Sequence, residues 1–317
     1  MTKQYAQNKR NLKNSIKKFW ISALILALFL LSLVLSNEIS RYVMNGLSLS
    51  VKIIIPSVFP FLLITDLFIA NIRLDNIGPL RRIFEVLFRI SGNAVSAFIC
   101  GLLCGFPIGA KMSLDLYKNG IISKCECERL MSFSNNASPA YVIFVVGVAL
   151  RKSIIEGLLF YFIMLASAFL TGSIIGINKK QSNNKKIILG QKYSFTASVK
   201  QSTEVCINIC GFITTFAIVC GLVKKIIRSD ILCALIISFF EIGNACTFLS
   251  ELCSFNNFLS FVITSFSISF SGISVISQTI CIAGTQADIS IRNHIKYKLL
   301  QGTLAAVISM LVFPFLY

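Results

Sequence analysis

The sequence has 317 residues, of which 55% are hydrophobic and 14% are charged, and its formal net charge is +17. Ordinary soluble domains carry roughly 25% charged residues, so this composition excludes a soluble protein with a charged surface and indicates an integral membrane protein. The excess of basic residues does not indicate nucleic-acid binding, because these residues cluster in tracts beside apolar segments, as the positive-inside bias produces.

The N-terminal segment, residues 1–18, contains six basic residues and no acidic residue. An apolar segment follows at residues 19–36; it is longer than the apolar part of a secretory signal and lacks a small-residue cleavage site. We therefore expect an uncleaved first span whose basic N-terminus lies in the cytoplasm.

A second apolar segment, residues 47–70, follows a short loop at residues 37–45. Pro56 and Pro60 lie inside this segment, and because proline removes a backbone donor, they predict a bent or broken span. Residues 71–91 then place four arginines among apolar residues at helical spacing, which is typical of an amphipathic helix at the membrane interface.

The rest of the first membrane half, which we place at residues 19–177, contains one short and one long apolar stretch. Residues 93–104 are too few to cross the bilayer and are followed by a helix-breaking Gly-Phe-Pro sequence. We therefore expect a re-entrant or broken segment within residues 93–150. Residues 154–177 form an uninterrupted span.

A basic, polar linker at residues 178–204 separates this half from a second membrane half at residues 205–317. The second half contains a span at residues 205–223, broken segments within residues 231–286, and a terminal span that follows a short basic loop at residues 292–298. The six full spans that we predict are residues 19–36, 47–70, 154–177, 205–223, 257–286 (broken) and 299–317.

Two similar polar interruptions occur in the apolar sequence, one in each half. Phe106 precedes Phe133 by 27 positions in the first, and Phe240 precedes Phe270 by 30 positions in the second. Glycine, proline and uncharged polar groups at membrane depth are tolerated where protein or a watery cavity satisfies the freed backbone. Matching breaks in two halves point to the substrate site of a transporter. We therefore predict an all-α polytopic membrane protein with two structurally related halves, arranged as inverted repeats, whose broken or re-entrant helices meet near the bilayer midplane.

A broken helix exposes N–H groups at one end and C=O groups at the other. An anionic group suits the first end, and a cation such as Na⁺ or H⁺ suits the second. The amide and hydroxyl side chains around the breaks donate and accept hydrogen bonds, which suits a small polar or anionic solute. The candidate substrate-binding residues are Gly105, Phe106, Pro107, Gly109, Lys111, Ser134, Asn135, Asn136, Ser138, Asn244, Ser271, Gly272, Ser274 and Gln278.

Some of these candidates also have a structural interpretation. Asn135 and Asn136 are of a residue type that favours the start of a helix. Pro107 and Gly109 are typical of a kink or of close packing. Lys111 either compensates an anionic solute or extends to the interface.

Glu241 lies well inside an apolar segment, where an ionised carboxylate is costly and marks a functional site by default. We interpret it as the residue that binds the coupling ion; the alternative is a structural hydrogen bond between helices. The one histidine of the sequence, His294, excludes histidine-based catalytic triads and sites with several histidine ligands. No Walker-type or dinucleotide-binding glycine motif occurs. We expect no enzyme activity, no metal and no cofactor.

Seven short stretches carry a family resemblance, namely residues 56–61, 105–111, 115–117, 120–124, 128–130, 134–139 and 270–275. Together they resemble the YlbJ-type sporulation integral membrane proteins. These proteins are part of the wider nucleoside-recognition (Gate) group, which is related to concentrative nucleoside transporters. The resemblance spans nearly all of the chain after the first predicted span.

The resemblance implies a secondary transporter of a small polar anion, and specifically the movement of dipicolinate across the outer forespore membrane during sporulation. Two alternatives stay open. One is an ion-coupled nucleoside transporter, whose polar side chains would bind sugar hydroxyls and base edges. The other is a non-transporting membrane scaffold in sporulation. The expected partners are the solute, a coupling ion (H⁺ or Na⁺) and the lipid bilayer; the sequence does not indicate an oligomeric state.

Overall fold

The computed structural model describes residues 19–71 apart from 21, 24, 25 and 28, and residues 78–179, 194–252, 257–283 and 289–315. The predicted cytoplasmic N-terminus and most of the predicted linker lie outside these ranges. Every regular element within the ranges is helical, which confirms the all-α prediction.

The first half begins with a bent helical segment and ends with a long helix. Its α-helices are α1 (Ser36–Leu49), α2 (Ile55–Asn71), α3 (Gly78–Val86), α4 (Val95–Cys104), α5 (Ile108–Lys118), α6 (Lys124–Ser134) and α7 (Ile154–Gly176). Two π-helices join them: Ser50–Ile54 connects α1 to α2, and Ala140–Leu150 lies between α6 and α7.

The second half begins and ends with a long helix. Its α-helices are α8 (Phe195–Ile226), α9 (Asp230–Phe240), α10 (Ile242–Glu251), α11 (Asn257–Phe270), α12 (Gly272–Ala283) and α13 (Ile291–Val312). In each half, two pairs of short helices separated by a break are followed by one long helix. The pairs are α4 with α5 and α6 with the second π-helix in the first half, and α9 with α10 and α11 with α12 in the second.

The count of spans differs from the sequence-based expectation of six. Within the described ranges, four helical segments are long and apolar enough to cross a membrane: Ile154–Gly176, Phe195–Ile226, Asn257–Ala283 and Ile291–Phe315. A fifth is the pair Ser36–Ile54 and Val58–Ile64, which is bent by 47°. The predicted bend near Pro56 is therefore present, and the π-helical turn directly precedes it. Residues 19–34 are helical wherever the structure describes them.

The predicted loop at residues 37–45 is wrong, because α1 already begins at Ser36. This stretch contains charged residues and so has a low hydropathy, but it packs along α8. A Cβ atom on Gly46 would lie 2.8 Å from the Cα atom of Thr214. Lys225 Nζ of α8 lies 2.6 Å from Glu38 Oε1. Contact with another helix therefore stabilises a helical segment that hydropathy does not show.

Two further helices begin earlier than predicted. Helix α8 starts within the predicted linker, and the serines at i and i+4 in its first turns, Ser198 and Ser202, are buried. Helix α13 starts at Ile291, so the predicted basic loop at residues 292–298 is helical, and His294 and Lys298 are buried. In both places a polar helix face packs inside the protein, which a hydropathy pattern cannot distinguish from a solvated loop.

Candidate functional site

The first break, between α4 and α5, crosses the chain segment that follows α6. Gly105 has a φ of +80°, which favours glycine. A Cβ atom on Gly105 would lie 2.6 Å from the backbone nitrogen of Ser138, and one on Gly109 would overlap the backbone of Ser134. Glycines therefore let the two interrupted segments of the first half come into backbone contact.

The second half contains a similar crossing. Glu241 separates α9 from α10 with an extended backbone, at φ −153° and ψ 125°. Ser271 separates α11 from α12 and has a φ of +72°, and Gly272, the first residue of α12, has a φ of +77°. A Cβ atom on Gly272 would lie 3.0 Å from the carbonyl oxygen of Phe240. The two breaks of this half also lie against each other.

A cavity lies between the two crossings, and we call it the central cavity. It is lined by the tip of the first break, by the start of the second π-helix, by Glu241 and Ile242, by α12, and by the facing sides of α2 and α8. The lining residues are Ile54, Val58, Cys104, Gly105, Phe106, Ser138, Tyr141, Ile209, Ile213, Glu241, Ile242, Val275 and Gln278. The structure therefore brings together the two interruptions that the sequence singled out.

The central cavity is small and mostly apolar. Its volume is about 30 Å³, which is room for one or two water molecules. The hydroxyl of Tyr141 and Oε1 of Gln278 are buried and have no hydrogen-bond partner among the described residues; the Tyr141 hydroxyl lies beside the thiol of Cys246. Buried polar atoms without a partner are rare. These two atoms, contributed by different halves, are therefore available to a polar solute.

Glu241 is the charged residue of the cavity lining, and it also caps α10. Its Oε1 accepts a hydrogen bond from the backbone of Gly243 at 2.9 Å. Its Oε2 accepts from the backbone and the side-chain amide of Asn244, at 2.6 and 2.8 Å. The carboxylate thus binds the amino end of a half-helix, where negative charge is favoured. Glu241 therefore makes structural hydrogen bonds, which was the alternative to binding a coupling ion, and it also lines the cavity.

A second buried polar cluster lies beside the first break, and we call it the Lys298 network. Lys298 Nζ donates to the carbonyl oxygen of Asn135 at 3.1 Å, to Oδ1 of Asn136 at 3.5 Å and to Oε1 of Gln301 at 2.9 Å. Gln301 Nε2 donates to Asn136 Oδ1 at 2.7 Å. All four side chains are at most 1% exposed. The carboxyl end of α6 is therefore bound by an internal ammonium group.

Polar contacts also join the two halves. Asn135 Nδ2 donates to Oγ1 of Thr279 in α12 at 2.9 Å. The two carboxylate oxygens of Glu128 accept from the backbone of Ser290 at 2.9 Å and from Nδ2 of Asn293 at 3.0 Å. Helix α6 of the first half is thus held to α12 and to the start of α13.

The sequence-predicted site residues separate into distinct places. Gly105, Phe106, Ser138, Glu241 and Gln278 line the central cavity. Pro107, Gly109 and Ser134 lie at the first crossing, and Ser271, Gly272 and Ser274 lie at the second. Asn135 and Asn136 belong to the Lys298 network. Asn244 donates a hydrogen bond to Glu241. Lys111 is half-buried in α5 and does not line the cavity.

The polar residues Tyr141, Thr279, Lys298 and Gln301 also contribute to these sites and were not among the predicted ones. Tyr141 lies in an apolar run, which hides its hydroxyl. Lys298 and Gln301 are spaced at i and i+3 and so share one helix face, and His294 lies on the same face, one turn earlier. This spacing indicates a polar face of a helix. Assigning Lys298 to a loop concealed that pattern.

The chain is similar to a known membrane protein over most of its length. It is 27% identical to the sporulation integral membrane protein YlbJ of Bacillus subtilis (strain 168), in an alignment of 350 positions that covers 94% of this chain and 84% of that protein. No protein-family model matches the chain, and no solved structure matches it. The likeness confirms the resemblance to YlbJ-type proteins, and together with the apolar helices it identifies an integral membrane protein.

Proposed function

From its likeness to a sporulation integral membrane protein and from the central cavity, we propose that the chain is a secondary transporter rather than an enzyme. It carries a small polar solute through the central cavity during sporulation. The observation that supports this most strongly is the convergence of two interrupted helix pairs, one from each half, on one cavity with unpartnered polar atoms. Transporters place substrate sites at such breaks.

We further propose that the two halves are inverted repeats and that they rock against each other around the cavity. Both halves contain two pairs of short helices followed by one long helix, and in both a glycine lets one break lie on the other. The long helices α7 and α13, which end the two halves, also pack against each other. In this scheme the cavity, which has room for one or two water molecules, widens when one half moves.

Dipicolinate is our leading solute. The amino end of α10 already binds one carboxylate, that of Glu241, through the N–H groups of Gly243 and Asn244. A carboxylate of the solute would use the same donors. Since two carboxylates in one apolar site repel each other, Glu241 would bind a proton as the solute enters. The proposal therefore includes a proton as the coupling ion, bound at Glu241.

A neutral nucleoside is the second candidate. Within the described part of the chain, no lysine or arginine lines the central cavity, so nothing in the lining attracts an anion directly. The hydroxyl of Tyr141, the amide of Gln278 and the carboxylate of Glu241 would hold a neutral solute by hydrogen bonds.

The proposed setting is the outer forespore membrane, with the N-terminus in the cytoplasm of the mother cell. The basic residues 1–18 support this orientation through the positive-inside bias. The proposed partners are the solute, the coupling proton and the lipid bilayer, and no role for nucleic acid is proposed.

The test is uptake of labelled dipicolinate and labelled uridine by proteoliposomes that contain the full chain. We expect saturable uptake of dipicolinate that an inward proton gradient accelerates. Uptake of uridine alone would replace the leading solute by the second candidate. Uptake of neither, together with normal dipicolinate content in Bacillus subtilis spores that lack YlbJ, would contradict the assignment to dipicolinate transport.

A further inference from the structure

We propose that the Lys298 ammonium is a built-in cation, which occupies the half-helix end where a transporter of this architecture would bind a coupling Na⁺ or K⁺. Its meaning for transport rests on the proposed function, but the cation site can be tested without any solute. The consequence is that transport does not depend on Na⁺ or K⁺ at this end, and that coupling is left to the proton at Glu241.

The surroundings of Lys298 are those of a bound monovalent cation. Its ammonium group donates to three oxygen atoms: a backbone carbonyl, that of Asn135, and two side-chain amide oxygens, those of Asn136 and Gln301. Carbonyl oxygens at unwound backbone and at the carboxyl ends of half-helices are the ligands with which transporters hold Na⁺.

The position on the helix supports the same interpretation. Helix α6 ends at Ser134, and Asn135 is its C-cap residue. The last carbonyl groups of a helix carry a partial negative charge that favours a cation. Lysine supplies that charge as a compact group with three donors.

The charge of Lys298 has no local counterion. Its hydrogen-bond partners are neutral, and no carboxylate in the described ranges forms an ion pair with it. The nearest acid before Asn135 in α6 is Glu128, about two turns earlier. Its carboxylate accepts hydrogen bonds from Ser290 and Asn293 instead. A buried ion pair would explain a lysine as part of the scaffold, whereas a cation surrounded by neutral oxygens matches a cation site.

A second, independent observation points to a ligand site. Oδ1 of Asn135 is buried and has no hydrogen-bond partner within the described part of the chain. The residue whose carbonyl binds Lys298 therefore has a further oxygen left over.

The inference is tested with Lys298→Ala in the full-length protein, purified in detergent. The thermal unfolding midpoint is measured in NaCl, KCl, methylammonium chloride and choline chloride at equal ionic strength. We expect the wild-type midpoint to be the same in all four salts. We expect the midpoint of Lys298→Ala to be lower by about 5 °C in choline and partly restored by Na⁺, K⁺ or methylammonium. Lys296→Ala, on the exposed face of the same helix, is the matched control and should behave as the wild type.

Three results would overturn the inference. The first is stabilisation of the wild type by Na⁺ or K⁺ over choline, because it reveals a separate cation site. The second is a Lys298→Ala midpoint equal to that of the wild type, and the third is a lowered midpoint that no cation raises. If Lys298→Ala does not fold, Lys298→Met keeps the size of the side chain without its charge. It should be less stable than the wild type in every salt, and equal stability would overturn the inference.

The transport measurement separates this inference from the proposed function. Wild-type flux should be unchanged when choline replaces Na⁺ and K⁺ at constant proton gradient. A wild type that moves no solute in any salt contradicts the proposed function only, and the unfolding measurements then decide the role of Lys298.

Discussion

Glu241 and Lys298 bind opposite ends of two half-helices. The carboxylate of Glu241 accepts hydrogen bonds from the amino end of α10, and the ammonium of Lys298 donates to the carboxyl end of α6. Each charge has the sign that its helix end favours. Each of these two helix ends is therefore bound by a charged side chain of the protein itself.

Glu241→Gln should abolish the dependence of solute flux on the proton gradient and reduce the flux at least about tenfold. Glutamine keeps the acceptor oxygen that caps α10 but does not exchange a proton. The measurement is uptake by proteoliposomes with and without an inward proton gradient. Glu251→Gln changes an exposed acid at the end of the same helix and should leave uptake unchanged. Gradient-driven uptake by Glu241→Gln would exclude Glu241 as the coupling residue.

Tyr141→Phe should reduce solute binding while leaving stability nearly unchanged. The hydroxyl lies beside the thiol of Cys246, which is a weak acceptor, so its removal costs the fold little. The measurements are the KM of uptake, expected to rise about threefold to tenfold, and the unfolding midpoint. Tyr161→Phe, which removes a hydroxyl that bonds the Leu102 carbonyl at 3.5 Å, should leave KM unaltered. An unchanged KM for Tyr141→Phe would mean that this hydroxyl does not contact the solute.

Gly105→Ala should destabilise the protein by about 1–3 kcal/mol. The methyl group would be placed in a left-handed conformation and within 2.6 Å of the backbone nitrogen of Ser138. Gly120 also has a positive φ, +68°, but a Cβ atom there meets nothing within 4 Å. Gly120→Ala therefore reports the cost of the conformation alone, about 1–2 kcal/mol. Equal losses in unfolding free energy for the two variants would show that the first crossing accommodates a methyl group at residue 105 without a clash.

Asn135→Ala and Thr279→Val should be coupled in stability. The two residues share a buried hydrogen bond of 2.9 Å between the halves. A double-mutant cycle of unfolding free energies should give a coupling of about 0.5–1.5 kcal/mol. Strictly additive losses would show that this bond does not hold the halves together.

The breaks could be predicted from the sequence because glycine, proline and an isolated acid carry strong local information. The Gly-Phe-Pro sequence after α4 and Glu241 after α9 both lie where the helices end. The Lys298 network could not be predicted in the same way. Hydropathy places Lys298 in a loop before the terminal span, whereas its burial depends on Asn135 and Asn136, more than 160 positions away. The same limit explains the missed start of α1, whose partner is α8.

The burial of Lys298 bears on the orientation of the second half. Basic residues in loops mark the cytoplasmic side of a membrane. Lys298 is 1% exposed and belongs to an internal network, so it carries no information about which side of the membrane is positive.

The backbone contact at the first crossing has a mechanical consequence. Gly101 and Gly109 both lie against the backbone of Ser134, and Gly105 lies against the backbone of Ser138. In the proposed transport cycle, entry of a solute would therefore require displacement of whole helical segments and not of a single side chain. We expect the rate of the proposed transport cycle to be low and to depend steeply on temperature and on the fluidity of the surrounding lipid.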